Sequence, residues 1–202
     1  KKAAEKNHRM AQCNLGVCYK QGLGVERDFK KAAEFYRKAA NQEYSTAQYN
    51  LAYCYQRGEG VEMDGKKAIE LFELAAAQGH SGAKYSIACA YDYGTGIEKD
   101  LTKAIEWYQK AAADGHKTAL CNLGYCYKKG EGVERDWKKA VELYLKAAEK
   151  GSPQGQYNVG YCFEHGQGVE QDVQEALKWY CKAAEQEHAN ATAAIDRLVN
   201  PE

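Results

Sequence analysis

What the chain does not carry narrows its function first. Its 28 lysines and arginines are matched by 28 aspartates and glutamates, so there is no excess charge of either sign. Binding nucleic acid through phosphate contacts and counterion release calls for a basic balance, and no nucleic acid partner is expected. No apolar run approaches the roughly 18 residues of a membrane span; no signal peptide is visible at the start, which is uninformative because Lys1 begins inside the repeat pattern. Membrane insertion is therefore not expected. A dinucleotide fingerprint is also missing: "GEGVERDWKKAVELYLKAAEKG" at 130–151 runs a Gly-x-Gly into an amphipathic stretch, but it lacks the third glycine and the acidic residue about 20 positions on. No HExxH or paired Cys/His spacing marks a metal site. Neither cofactor nor metal is expected.

What is present is repetition. "GLGVERDFKKAAEFYRKAA" begins at Gly22, "GEGVEMDGKKAIELFELAA" at Gly58, "GTGIEKDLTKAIEWYQKAA" at Gly94 and "GQGVEQDVQEALKWYCKAA" at Gly166, in register with the stretch at Gly130 at steps of 36 residues. An unbroken period of this length means a solenoid whose units pack on their neighbours. The units are placed at 11–46, 47–82, 83–118, 119–154 and 155–190. Residues 1–10 read as the end of a truncated preceding unit, because "KKAAEKNHRM" aligns with "RKAANQEYST" at 37–46. Residues 191–202 read as a C-terminal capping helix: Asp196 replaces Gly or Ala, Val199 replaces Tyr or Phe, and Asn200-Pro201 closes the helix. The array is expected to end there and to have been cut on its N-terminal side.

Within one unit, "AQYNLAYCYQRG" puts Ala47, Leu51, Ala52, Cys54 and Tyr55 on one helical face. The first glycine of Gly-x-Gly should stop that helix, since a left-handed residue costs glycine little. Val25, Val61, Ile97, Val133 and Val169 are the apolar plugs of the turn. Asp28, Asp64, Asp100, Asp136 and Asp172 then open the second helix as N-caps. Five aspartates at one repeat position argue against acid–base catalysis, which needs a unique environment. Behind each cap runs an apolar stripe, as in Trp137, Val141, Leu143, Tyr144, Ala147 and Ala148, that buries against its own first helix and the next.

Cys18, Cys54, Cys126 and Cys162 share one repeat position that suits a small buried side chain. Cys13 and Cys18, like Cys121 and Cys126, are five residues apart, about 140° around a helix, and badly placed to bond with each other. Reduced thiols are expected, with a Cys162–Cys181 bridge or a metal site as alternatives. This favours a reducing, cytoplasmic compartment and leaves a periplasmic or secreted one open. His8, His80, His116 and His188 fall at one loop position near the unit's end and read as structural. His165 stands apart, beside Glu164.

The pattern A-x-Y-N-L-G-Y-C-Y-x-x-G-x-G-V-E-x-D-x-x-K-A-x-E-x-Y-x-K-A-A-x-x-G-H, matched with substitutions over five full units, resembles the Sel-1-like repeat family, a relative of the tetratricopeptide repeat. The resemblance implies an all-α protein, a right-handed α/α superhelix of helix-turn-helix repeats, used as an adaptor that assembles other proteins. The disulfide-rich subfamily pairs positions occupied here by Ala40 with Gln48 and Ala76 with Lys84, so its bridges are absent. By similarity to tetratricopeptide domains, the third, seventh, tenth and eleventh residues of each unit line the concave face. These are Cys13, Val17, Lys20 and Gln21; Tyr49, Tyr53, Gln56 and Arg57; Tyr85, Cys89, Asp92 and Tyr93; Cys121, Tyr125, Lys128 and Lys129; Tyr157, Tyr161, Glu164 and His165.

Seven of these are tyrosines, which suit an extended or helical peptide; several could instead pack between units. The charged members are four basic and two acidic, a lean toward an acidic segment. Asn14, Asn50, Asn122 and Asn158 either bond a peptide backbone or satisfy groups within the array. The carboxylate clamp of chaperone-tail binders is not assembled. The expectation is a non-enzymatic adaptor that binds a partner peptide or protein on the concave face. The alternatives are a structural spacer or regulatory repeat domain of a larger signalling or membrane-complex protein, and a weak hydrolase like that ascribed to disulfide-rich relatives.

Overall fold

A computed structural model describes residues 8–200; the expectations for residues 1–7 and for Pro201 lie outside them. Among the described residues there are eleven helices: α1 (Arg9–Gln21), α2 (Phe29–Ala40), α3 (Ser45–Arg57), α4 (Gly65–Ala77), α5 (Ser81–Tyr93), α6 (Leu101–Ala113), α7 (Lys117–Lys129), α8 (Trp137–Glu149), α9 (Pro153–His165), α10 (Val173–Ala184) and α11 (Ala189–Val199). They form one pair per repeat, with α11 following the fifth. Each first helix starts two residues before the unit boundary that the apolar spacing suggests, and α11 likewise starts at Ala189. None of the two leading residues of the five first helices is buried, so hydrophobic spacing does not register them.

The chain divides into two compact units, Lys1–Ala104 and Ile105–Glu202, the division falling within α6. In the first, α1 to α5 each pack on the next helix in sequence; in the second, α7 to α11 do the same.

The hairpins follow from two residue types. Each repeat aspartate accepts the N–H of the residue three positions on through Oδ1, at 2.9–3.1 Å. Its own N–H donates at 2.9 Å to a carbonyl near the end of the first helix: Tyr19 for Asp28, Tyr55 for Asp64, Tyr91 for Asp100, Tyr127 for Asp136 and Phe163 for Asp172. One residue thus caps the second helix and ties it to the first. Gly22, Gly58, Gly94, Gly130 and Gly166 end the first helices in the left-handed region, as expected of a C-terminal glycine. The second glycine of the loop has a further duty. A Cβ at Gly60 would overlap the Phe29 carbonyl, and one at Gly168 would lie 2.5 Å from the Trp137 carbonyl oxygen, so this position lets one repeat's loop touch the preceding repeat's second helix.

The core is built on one large ring per repeat. Tyr36, Phe72, Tyr108, Tyr144 and Tyr180 are at most 2% exposed, each burying apolar area worth roughly 1.5–3 kcal/mol. Opposite three of them the first helix carries glycine: a Cβ at Gly16, Gly124 or Gly160 would come within 2.6–2.7 Å of the Tyr36, Tyr144 or Tyr180 ring. Gln12, Gln48 and Gln156, all buried, accept from Gln42, Gln78 and Gln186 at 2.7–2.8 Å. These bonds satisfy amides that would otherwise be costly to bury.

Candidate protein-binding surface

The residues expected on the groove lie on the first helices, but their environments differ sharply. In the first unit, Tyr49 and Tyr53 are half-buried at the seam between the second and third repeats. The Tyr49 ring stacks on the His80 imidazole at 4.4 Å and meets Tyr53 edge-on at 4.9 Å. Both rings pack against Phe72, and the Tyr53 hydroxyl lies 2.9 Å from Ser86 Oγ. Burial, with the Tyr53 hydroxyl adding to it, holds the Tyr49 phenol well above its ordinary pKa. Asn50 is turned inward and donates to Cys13 Sγ at 3.6 Å. Arg57 is exposed, its guanidinium 5.3 Å from the Tyr53 ring centroid and 3.7 Å from a Glu59 carboxylate oxygen. Tyr85 and Asp92 are half-buried, whereas Tyr93 at the end of α5 is 70% exposed.

In the second unit, Tyr125 is 46% exposed, with the Lys129 ammonium 5.7 Å from its ring centroid. Lys128 is half-buried, and its Nζ lies 4.3 Å from the Tyr161 ring centroid and 5.3 Å from that of Trp137. Burial draws its pKa below the ordinary lysine value. Tyr157 is sandwiched by Tyr180 and His188, at 5.5 and 4.9 Å. Tyr161 stacks on His165 at 4.2 Å, and His165 Nδ1 is 2.9 Å from the Tyr161 carbonyl. Asn122 donates to the Tyr108 hydroxyl at 3.2 Å, and Asn158 accepts from Gln154 at 3.1 Å. Asn50, Asn122 and Asn158 therefore satisfy groups of the array itself.

Glu164 calls for a correction. Expected on the groove, it is only 7% exposed, because α11 supplies Arg197, whose Nη2 is 2.6 Å from Oε1, and α10 supplies the Tyr180 hydroxyl, 2.7 Å from Oε2. Burial alone would raise its pKa; Tyr180 and Arg197 outweigh that and hold the carboxyl below the usual range. Arg197 went unnoticed in the sequence, although it stands one period after Tyr161. Cys13 and Cys121, also placed on the groove, are 2% and 4% exposed, whereas the larger Tyr49, Tyr85 and Tyr157 at the same repeat position are half-buried.

The histidines have a defined task. His8, His80 and His116 are N-caps of α1, α5 and α7, their Nδ1 atoms accepting from Ala11, Ala83 and Ala119 N–H at 3.1–3.4 Å. Ser152 Oγ takes the same role for α9 at 3.2 Å. Burial pushes the His80 pKa down, which favours the neutral ring whose Nδ1 accepts from Ala83 N–H. None of the eight cysteines is in a disulfide; Cys162 is buried and Cys181 exposed. Burial pushes the Cys54 and Cys162 thiols up to about 11. Among the described residues no group of three or more His, Cys, Asp or Glu is placed to hold a metal, and no helix is long and apolar enough to cross a membrane.

The model of the Sel1 repeat matches residues 9–44, 45–80, 81–116, 117–152 and 153–188. A protective antigen of uropathogenic Escherichia coli strains, displaying an SLR fold, is 35% identical with a TM-score of 0.89 over 97% of this chain and 42% of its own. The chain thus spans well under half of that antigen. A Sel1 repeat protein from Oxalobacter formigenes is 32% identical with a TM-score of 0.85, covering 95% of this chain and 76% of that one. Cysteine rich protein B of Helicobacter pylori is 26% identical with a TM-score of 0.53, covering 65% of this chain and 95% of its own. No curated protein matches the chain.

Proposed function

The chain belongs to the Sel1 repeat family, and on that premise we propose that it is a non-enzymatic protein-interaction module that takes a segment of another protein on the surface of its first helices. The observation that carries this reading is an exposed tyrosine on a first helix of each compact unit: Tyr93 is 70% and Tyr125 46% exposed. Tyrosine combines a large apolar face with a polar tip and few rotamers, which is why it recurs at binding hot spots. Tyr53 and Tyr161, at the repeat position of Tyr125, are half-buried, so the exposure of Tyr125 comes from its local packing.

Two further observations support a non-catalytic role. The Nδ1 atoms of His8, His80 and His116 are committed to backbone N–H groups, which removes them as bases. The Cys54 and Cys162 thiols are raised to about 11 by burial, which leaves little thiolate for nucleophilic attack near neutrality.

The test is capture of partners from the source lysate under reducing conditions, comparing the chain with a Tyr93→Ala, Tyr125→Ala variant and with Leu74→Ala, which removes an exposed side chain from a second helix. Loss of a partner from the tyrosine variant alone supports the module. Equal recovery by all three moves binding off this surface, and no partner at all favours a spacer. Turnover of ester or lactam substrates that His165→Ala abolishes would overturn the non-enzymatic reading.

A further inference from the structure

Lys20 and Lys128 occupy the same position in the first and fourth repeats, yet their surroundings differ by one charge. Lys20 Nζ is 2.8 Å from Glu59 Oε2, a carboxylate supplied by the loop of the following repeat. In the loop of the repeat after that of Lys128, the place of Glu59 is taken by Gln167. A neutral amide thus stands where the first seam has its counter-charge, and among the described residues Gln167 Oε1 is buried with no hydrogen-bond partner.

Lys128 does not escape to solvent. It is half-buried between Tyr161 and Trp137, with its ammonium 4.3 and 5.3 Å from their ring centroids. Among the described residues, neither Lys128 nor Lys129 has a carboxylate within ion-pair distance. Glu164, one turn after Tyr161, is committed to Arg197 and Tyr180. A partly desolvated ammonium facing only π surfaces gains less than one that also meets a carboxylate, so an arriving anion is favoured at this point. Exposed Tyr125 beside it offers apolar contact to whatever carries that anion.

We propose that Lys128, with Lys129 alongside and Tyr161 and Trp137 as its walls, forms a carboxylate-binding subsite for an aspartate or glutamate side chain of an acidic partner segment. The subsite rests on the reading of the first helices as a protein-binding surface and names the chemistry recognised there. Gln167 is what opens it: the internal carboxylate that would neutralise the lysine has been removed.

The experiment uses the whole chain with a capped oligoglutamate octapeptide as probe and oligolysine as control, followed by NMR at low salt. The expected result is saturable shifts of the Lys128 side-chain amine and the Trp137 indole N–H with oligoglutamate alone. Gln167→Glu, which rebuilds the Lys20–Glu59 arrangement, should weaken binding at least ten-fold while leaving Tm equal or higher; Lys128→Met should weaken it similarly. Unmoved Lys128 and Trp137 signals, or a Gln167→Glu variant that binds as tightly as the parent, would overturn the subsite. If that happens while capture of a partner still depends on Tyr93 and Tyr125, the interaction module stands and the acidic specificity alone falls.

Discussion

Arg197 on α11 and Glu164 on α9 meet at 2.6 Å, and the second carboxylate oxygen of Glu164 accepts from Tyr180 on α10 at 2.7 Å. One buried carboxylate therefore ties three successive helices at the C-terminal end of the array. Arg197→Ala would leave that carboxylate with Tyr180 as its remaining side-chain donor. Because Arg197 is itself largely exposed, the expected loss is about 1–3 kcal/mol, the range for a buried group deprived of a partner. Contacts in a repeat array are local, so hydrogen exchange should quicken in α11 and stay unchanged in α1 to α3. Uniform acceleration would contradict this.

The same carboxylate sets a pH dependence. Its folded-state pKa lies below the ordinary value, so its contribution is fully present above the unfolded glutamate pKa of about 4.3 and is lost as pH falls through the lower folded value. In an acid titration α11 should loosen before the core, and Glu164→Gln should remove that early phase.

His80 acts in a different window. Its pKa is depressed by burial, so stability is fully present above the unfolded histidine value of about 6.5 and declines as pH falls through the folded value. Protonating Nδ1 removes the acceptor for Ala83 N–H and puts a cation at a helix N-terminus. His80→Ser, copying Ser152, should keep the cap and flatten the stability profile between pH 7 and 5. An unchanged profile would mean the cap does not titrate.

Gly124→Ala pits two effects against each other. Alanine is favoured over glycine in a helix by about 1 kcal/mol, but its Cβ would sit 2.6 Å from the Tyr144 ring. Overpacking costs about 1–3 kcal/mol, so a net loss in urea denaturation is expected. A gain would mean that Tyr144 shifts freely.

Glu43 and Glu187 sit at φ 57° and 61°, in the left-handed region that Gly79, Gly115 and Gly151 occupy in the other repeats. An L-residue pays about 1–2 kcal/mol there, and glycine offsets part of that by its own unfolded-state entropy. Glu43→Gly and Glu187→Gly should each raise stability by up to about 1 kcal/mol, read as a higher urea midpoint without a change in slope.

The 36-residue period, the aspartate caps, the left-handed glycines and the ring of each repeat core were all legible in the amino-acid sequence. Each is a short-range consequence of residue type: a carboxylate near orphan N–H groups, a glycine where φ is positive, an apolar stripe at helical spacing. They recur five times, so the chain carries its own internal comparison. The sequence also proposes a binding face, but not which of its residues remain available.

That division was settled by tertiary packing. Tyr49, Tyr53, Tyr93 and Tyr125 are the same residue type on equivalent helices. Tyr49 and Tyr53 are held by His80, Phe72 and Ser86 across a seam, whereas Tyr93 is 70% and Tyr125 46% exposed. Likewise Glu164 is polar in sequence and buried in fact, because Arg197, 33 positions later, folds back to meet it. Helix caps and turns depend on neighbours within a few residues, so a sequence determines them. Burial and charge compensation depend on side chains brought from 16 to 39 residues away, and the packing of each helix on its neighbours decides them.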